Sequence, residues 1–242
     1  MYEKSLFNYF WSFSKQGINA TYSEVIKNSD DFVPITLPHD WLIYDTNNLY
    51  DTSSGWYKKT FKIDSLKDLI SIRFDGIYMD STIYVNGEIV GQWKYGYTTF
   101  EIDITKALRL GKNEILVQVR YESPNSRWYS GAGIYRNVWM IKRGQNHICP
   151  YGIYVSTCKE EESWMVDIET SLIARKNMKI RQSLYMDQEI ITSHTKEVKK
   201  CNRVQTVQQV MGIERPNLWS IEDPILYKLK TELIDDNIVI EE

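Results

Sequence analysis

The chain has 242 residues, 43% hydrophobic and 25% charged, with a formal net charge of -3. That length predicts two domains of roughly 100 to 150 residues, and the composition excludes a disordered or fibrous chain. Lacking a basic surface, the chain is not expected to bind nucleic acid or an anionic membrane, and no run approaches the roughly 20 apolar residues of a membrane span.

The N-terminal Met1-Tyr2-Glu3-Lys4-Ser5-Leu6-Phe7 has no uninterrupted apolar run of the secretory kind. The sequon Asn19-Ala20-Thr21 therefore carries no weight. The three cysteines, Cys149, Cys158 and Cys201, are an odd number that cannot all pair within the chain. The expectation is a reduced, cytoplasmic setting with buried thiols. In Leu37-Pro38-His39-Asp40-Trp41, an acid/base role for His39 and Asp40 is disfavoured because adjacent residues rarely turn their side chains toward each other. A packed turn is expected there.

From Trp56 onward, short alternating strands separated by turn residues predict an all-β fold. Ile70, Ile72 and Phe74 should face a core, as should Ile115, Val117, Val119 and Tyr121. Asn86-Gly87 lies between two β-rich runs and predicts a type I′ hairpin, since both central residues need positive φ. Asp103 and Thr105 lead into Lys106-Ala107-Leu108, one capped helical turn, before Gly111-Lys112-Asn113 reverses the chain. After Gly144 a second set of strands begins, which places a domain boundary near residue 146. Val166, Ile168, Thr170 and Leu172 alternate cleanly, and Ile180, Gln182, Leu184 and Met186 less so. About seven short strands in about a hundred residues fit an immunoglobulin-like sandwich. The ending Ile240-Glu241-Glu242 follows an apolar strand directly, without tail composition, and is read as a cut from a longer chain.

The most informative segment is Asn125-Ser126-Arg127-Trp128-Tyr129-Ser130-Gly131-Ala132-Gly133-Ile134-Tyr135-Arg136, a loop rich in rigid rings and forked donors. Rigid rings and forked donors at that density suit recognition of a ligand. Gly131-Ala132-Gly133 is not a dinucleotide loop, because Arg136 occupies the third glycine position and a strand follows, not a helix. The two glycines instead suit a tight entry where a side chain would clash. Packing of Trp128, Tyr129 and Tyr135, with an ion pair at Arg136, is the competing reading. No metal is expected at His147 or His194, which have no partners at ligand spacing. Asp75, Asp80, Asp103 and Glu122 form no regular acidic loop, so no cofactor is expected and a cation is the lesser expectation.

Taken in order, Leu37-Pro38-His39-Asp40-Trp41, Gly55-Trp56-Tyr57, Phe74-Asp75-Gly76-Ile77-Tyr78-Met79-Asp80-Ser81, Tyr84-Val85-Asn86-Gly87, Gly96-Tyr97-Thr98-Thr99-Phe100, Gly111-Lys112-Asn113, the aromatic loop, and Pro216-Asn217-Leu218-Trp219-Ser220 with Pro224-Ile225-Leu226-Tyr227 resemble the N-terminal portion of a glycoside hydrolase of family 2. The loop is most similar to the β-galactosidase branch. The resemblance implies a galactose-binding-domain-like jelly roll over 1–146, an immunoglobulin-like sandwich over 147–242, and a catalytic (α/β)8 barrel beyond residue 242. It implies retaining hydrolysis of a terminal β-linked galactoside, with substrate contacts from Asn125, Arg127 and Trp128, and Tyr129 as a lesser candidate. No catalytic residue is expected in this chain: the one Asn-Glu pair, Asn113-Glu114, precedes Ile115 in a hairpin turn and is not the family's Asn-Glu-Pro motif. The implied partners are a carbohydrate and the barrel, and a homo-oligomer stays open. The alternative reading is an autonomous carbohydrate-binding or adhesion module, and a weaker third is a pure interaction scaffold.

Overall fold

A computed structural model describes residues 2–125 and 131–242. It forms two compact units, Glu3–Lys142 and Arg143–Glu242, the second joined by the N-terminal Tyr2. The first contains β1 (Glu3–Leu6), β2 (Trp11–Gln16), β3 (Val33–Ile35), β4 (Ser53–Ile63), β5 (Leu69–Phe74), β6 (Ser81–Val85), β7 (Glu88–Trp93), β8 (Phe100–Asp103), β9 (Gly111–Tyr121) and β10 (Val138–Arg143). These make a jelly-roll sandwich of a four-stranded sheet, β1-β10-β5-β8, and a six-stranded sheet, β3-β2-β4-β9-β6-β7.

The predicted alternations face the core: Ile70, Ile72 and Phe74 from one sheet meet Ile115, Val117, Val119 and Tyr121 from the other. The opposite face of the larger sheet is also covered, which the alternation did not indicate. There Leu116 and Trp56 are buried with Val25 of α1 (Tyr22–Lys27). This helix of six residues is held by a capping box, with the Thr21 amide and hydroxyl both donating to Glu24 Oε2 at 2.8 and 2.7 Å.

Asn86 and Gly87 both have positive φ, as the hairpin requires. The Asn86 carboxamide donates to Ala107 O and Asn113 Oδ1, both at 2.8 Å, and accepts from the Glu114 amide at 3.0 Å. Thr105–Ala107 form the helical turn. The reversal precedes Gly111, which already opens β9.

Lys59 sits inside the first unit. Its Nζ donates to the carbonyls of Phe7 and Tyr9 at 2.9 and 2.8 Å and lies 3.5 Å over the Phe7 ring. Burial pulls its pKa down to about 8.

The second unit contains β11 (His147–Glu160), β12 (Ser163–Ala174), β13 (Met178–Met186), β14 (Glu189–Val198), β15 (Cys201–Glu214), β16 (Tyr227–Asp235) and β17 (Ile238–Glu241). They form an immunoglobulin-like sandwich of sheets β11-β12-β15 and β14-β13-β16-β17. The irregular alternation in β13 has a cause: fully buried Gln182 donates to Thr170 Oγ1 at 2.9 Å and accepts from Thr231 Oγ1 at 2.6 Å. This polar bridge lies between two apolar clusters, one around Leu172, Ile180 and Leu233 and one around Ile168, Leu184 and Met211. The thiols depart from expectation, since Cys158 is exposed and Cys149 and Cys201 are half-buried. Beyond Gly152, β11 is an edge strand with its side chains in solvent, so nothing there encloses Cys158.

Replacing Lys59 by methionine fills its volume but removes the lysine donor from the Tyr9 carbonyl and leaves the Phe7 carbonyl with the Trp11 indole N–H alone. Lys59→Met should cost about 1–3 kcal/mol, seen as a lower urea midpoint. An unchanged midpoint would show that the amine anchors nothing.

Candidate functional site

The two ends of the aromatic loop are tied to the body of the first unit. At its start the Ser123 amide donates to Thr52 Oγ1 at 3.0 Å. At its return the chain pairs with two separate segments. The His39 amide donates to Ile134 O at 2.9 Å and the Trp41 amide to Ala132 O at 3.1 Å. Gly133 and Tyr78 exchange both backbone hydrogen bonds, at 2.8 and 2.9 Å.

Asp40 completes this closure, its Oδ1 accepting from the amides of Leu42 and Ala132 at 3.0 and 3.1 Å. Two bonds from fixed amides suit a carboxylate that organises backbone. His39 is buried, its Nδ1 2.9 Å from Tyr57 Oη and its ring 4.6 Å from that of Phe13. Both residues therefore pack and brace the turn, as expected for this motif. Gly133, with φ near +137°, has no room for a side chain: a Cβ would lie 2.4 Å from the His39 carbonyl oxygen and 2.5 Å from Tyr57 Oη.

Among the sequence-derived site residues, Asn125 is placed at the loop's start, exposed, with its Oδ1 accepting from Tyr78 Oη at 3.3 Å. Arg127, Trp128 and Tyr129 lie outside the described residues. Tyr135 is half-buried and donates to Gly96 O at 2.8 Å, while Arg136 is exposed with its guanidinium 5.4 Å over the Tyr135 ring.

The sequence reading missed what surrounds Tyr78. The Tyr97 ring meets it edge-on at 5.2 Å, and Tyr95 meets Tyr97 at 5.7 Å. Asn125, bonded to Tyr78, also lines a cleft of about 320 Å³ with Met79, Asp80, Arg120, Glu122 and Pro124. Arg120 bonds Glu122 at 2.7 Å and lies 3.9 Å from Asp80. Rings beside charged hydrogen-bonding groups can hold a ligand with an apolar face and a hydroxyl rim. The sequence signal was Lys94-Tyr95-Gly96-Tyr97, two rings flanking a glycine.

Of the acidic residues weighed for a cation, Asp80 and Glu122 both face Arg120. Asp75 accepts from Arg73 and from the Trp139 indole, and Asp103 accepts from Thr105. Among the described residues no three His, Cys, Asp or Glu side chains converge on a metal-sized site. In the second unit an apolar groove of about 420 Å³ is lined by residues including Trp164, Leu184, Leu218, Trp219, Leu226 and Tyr227.

The sequence matches the family model described as "Glycosyl hydrolases family 2, sugar binding domain" over residues 22–144 and that of "Glycosyl hydrolases family 2" over residues 147–242. It is similar to the β-galactosidase BoGH2A of Bacteroides ovatus, 34% identical over 96% of this chain and 30% of that protein. A β-glucuronidase of Formosa agariphila is 25% identical over 97% of this chain and 28% of that protein. The crystal structure of a glycosyl hydrolase family 2 member from Bacteroides cellulosilyticus aligns with a TM-score of 0.84 at 30% identity, covering 98% of this chain and 35% of that one. The chain thus spans 28 to 35% of the length of these relatives.

Burial pulls the His39 pKa below its ordinary 6.5, with the Asp40 carboxylate pulling the other way. The unfolded chain then holds a proton that the folded one gives up, so this group makes stability rise with pH up to about 6.5 and fall on acidification. His39→Gln should therefore flatten the loss of Tm between about pH 6.5 and 5. His147, shifted the same way by burial in the second unit, adds to the acid response in the same direction. Identical slopes for variant and parent would exclude His39 from the acid response.

Proposed function

Because the chain belongs to glycoside hydrolase family 2, we propose that it is a non-catalytic portion of a β-galactosidase that cleaves terminal β-linked galactosides with retention. Its first unit forms one wall of the substrate pocket. The observation that carries this reading is the placement of Asn125: it stands at the start of a loop tied at both ends, lines a cleft and accepts from the Tyr78 hydroxyl. Arg127, Trp128 and Tyr129 extend that wall by the resemblance of their motif. In this role the chain binds and orients, with an indole or phenol under the sugar's C–H face and amide and guanidinium donors on its hydroxyls.

Retaining hydrolysis needs two carboxyl groups about 5–5.5 Å apart across the scissile bond, one to protonate the leaving oxygen and one to attack the anomeric carbon. Asp40 is committed to backbone amides and Glu122 to Arg120, so neither serves. Both catalytic carboxylates are assigned to a barrel domain outside this chain. The second unit supports that barrel, and its apolar groove is the surface offered to it.

Two measurements test this. The 242-residue chain should give no turnover of a chromogenic β-galactoside above buffer, and activity that purifies with it would overturn the assignment. In a protein that also carries the barrel, Arg127→Ala should lower kcat/KM by the equivalent of about 1–3 kcal/mol without lowering Tm. An unchanged kcat/KM would remove Arg127 from the site.

A further inference from the structure

Tyr95 and Tyr97 are 59% and 46% exposed, on the connection between β7 and β8. They are not loose. Gly96 between them lets Tyr78 approach so closely that a Cβ there would lie 2.3 Å from its ring, and the Gly96 carbonyl accepts from Tyr135 Oη at 2.8 Å. The Lys94 carbonyl accepts from the Asp80 amide at 3.2 Å. Trp93 is already used, stacked on Phe100 at 5.1 Å with 15° between the planes. The structure therefore fixes the backbone that carries the two tyrosines, and seats Tyr97 against Tyr78, while leaving about half of each residue in water, an arrangement that suits recognition.

Their surroundings decide what is recognised. The ring meetings are steep, 69° for Tyr78 with Tyr97 and 64° for Tyr95 with Tyr97, so the rings do not cover one another face to face. Tyr78, which meets Tyr97, also donates to Asn125, and Asn125 lines the cleft with Asp80, Arg120 and Glu122. The core of a protein interface is depleted of charge, whereas a saccharide needs open ring faces beside charged and amide hydrogen-bonding groups.

We propose that Tyr95 and Tyr97 form a second sugar subsite, a stacking platform joined to Asn125 through Tyr78, for the rings that follow the terminal residue of a β-linked oligosaccharide. The order of the subsites rests on the reading of Asn125 as part of the terminal-sugar wall. The platform gives the site a preference for oligosaccharides over simple glycosides.

Titration calorimetry of the 242-residue chain with β-1,4-galactotetraose, cellotetraose and methyl β-D-galactoside tests this. At least one tetraose should bind more tightly than the methyl glycoside. Tyr95→Ala and Tyr97→Ala should each weaken that tetraose by about tenfold, the scale of one lost ring contact, and leave the methyl glycoside unaffected. Tyr97→Phe, which keeps the ring, should bind as the parent does. Absence of saturable binding of either tetraose, or equal affinities in parent and alanine variants of unchanged near-UV circular dichroism, would overturn the platform. An Asn125→Ala variant separates the two readings. If it binds the methyl glycoside normally while the tyrosine variants still lose the tetraose, the platform stands and the role of Asn125 falls.

Discussion

The carbonyl oxygen of His39 occupies the space in which any side chain on residue 133 would begin, and this close approach governs the end of the first unit where the candidate site lies. Only glycine, free to take a positive φ and lacking a Cβ, lets the returning loop reach both the His39–Trp41 segment and Tyr78. Once there, the chain's amides need partners, and the Asp40 carboxylate supplies one for Ala132. The direction in which the chain re-enters the sandwich follows from these contacts. Tyr78 links this closure to Asn125, bonding Gly133 by its backbone and Asn125 by its hydroxyl.

The two units solve the burial problem differently. The first surrounds one continuous core with large rings, among them Trp11, Tyr57, Phe74 and Tyr121, and covers a second face of its larger sheet with α1. The second has two smaller clusters with Gln182 between them. A buried amide whose oxygen and nitrogen both have partners costs little, but it ties Thr170 of one sheet to Gln182 and Thr231 of the other in one setting.

Much of this was legible in the sequence because strand faces are written in alternation and hairpins in turn residues. Ile70, Ile72 and Phe74, and the Asn86-Gly87 turn, needed no tertiary information. The motifs that resemble family 2 glycoside hydrolases also pointed to both sandwiches, and the family models match them. What stayed hidden depended on contacts between distant residues. Leu116 and Trp56 occupy the face that period-two patterning gives to solvent, and become buried only because α1 covers them. The capping box Thr21-x-x-Glu24 was readable, yet six residues hold too little periodicity to announce a helix. In the site, the aromatic composition indicated recognition, but the meeting of Tyr78 with Tyr97 and Asn125 joins three separate loops that no spacing rule connects.

The Asn86-Gly87 turn bears on how this protein ages. An asparagine followed by glycine ordinarily converts to aspartate and isoaspartate, because the unhindered glycine nitrogen attacks the side-chain carbonyl carbon to close a succinimide. Here the carboxamide is held by Ala107 and Asn113 on its nitrogen and by the Glu114 amide on its oxygen. Swinging it toward the Gly87 nitrogen would break all three bonds at once. The network that aligns the hairpin thus also shields its chemically most fragile peptide link, and covalent damage at this turn becomes a measure of how often the hairpin opens.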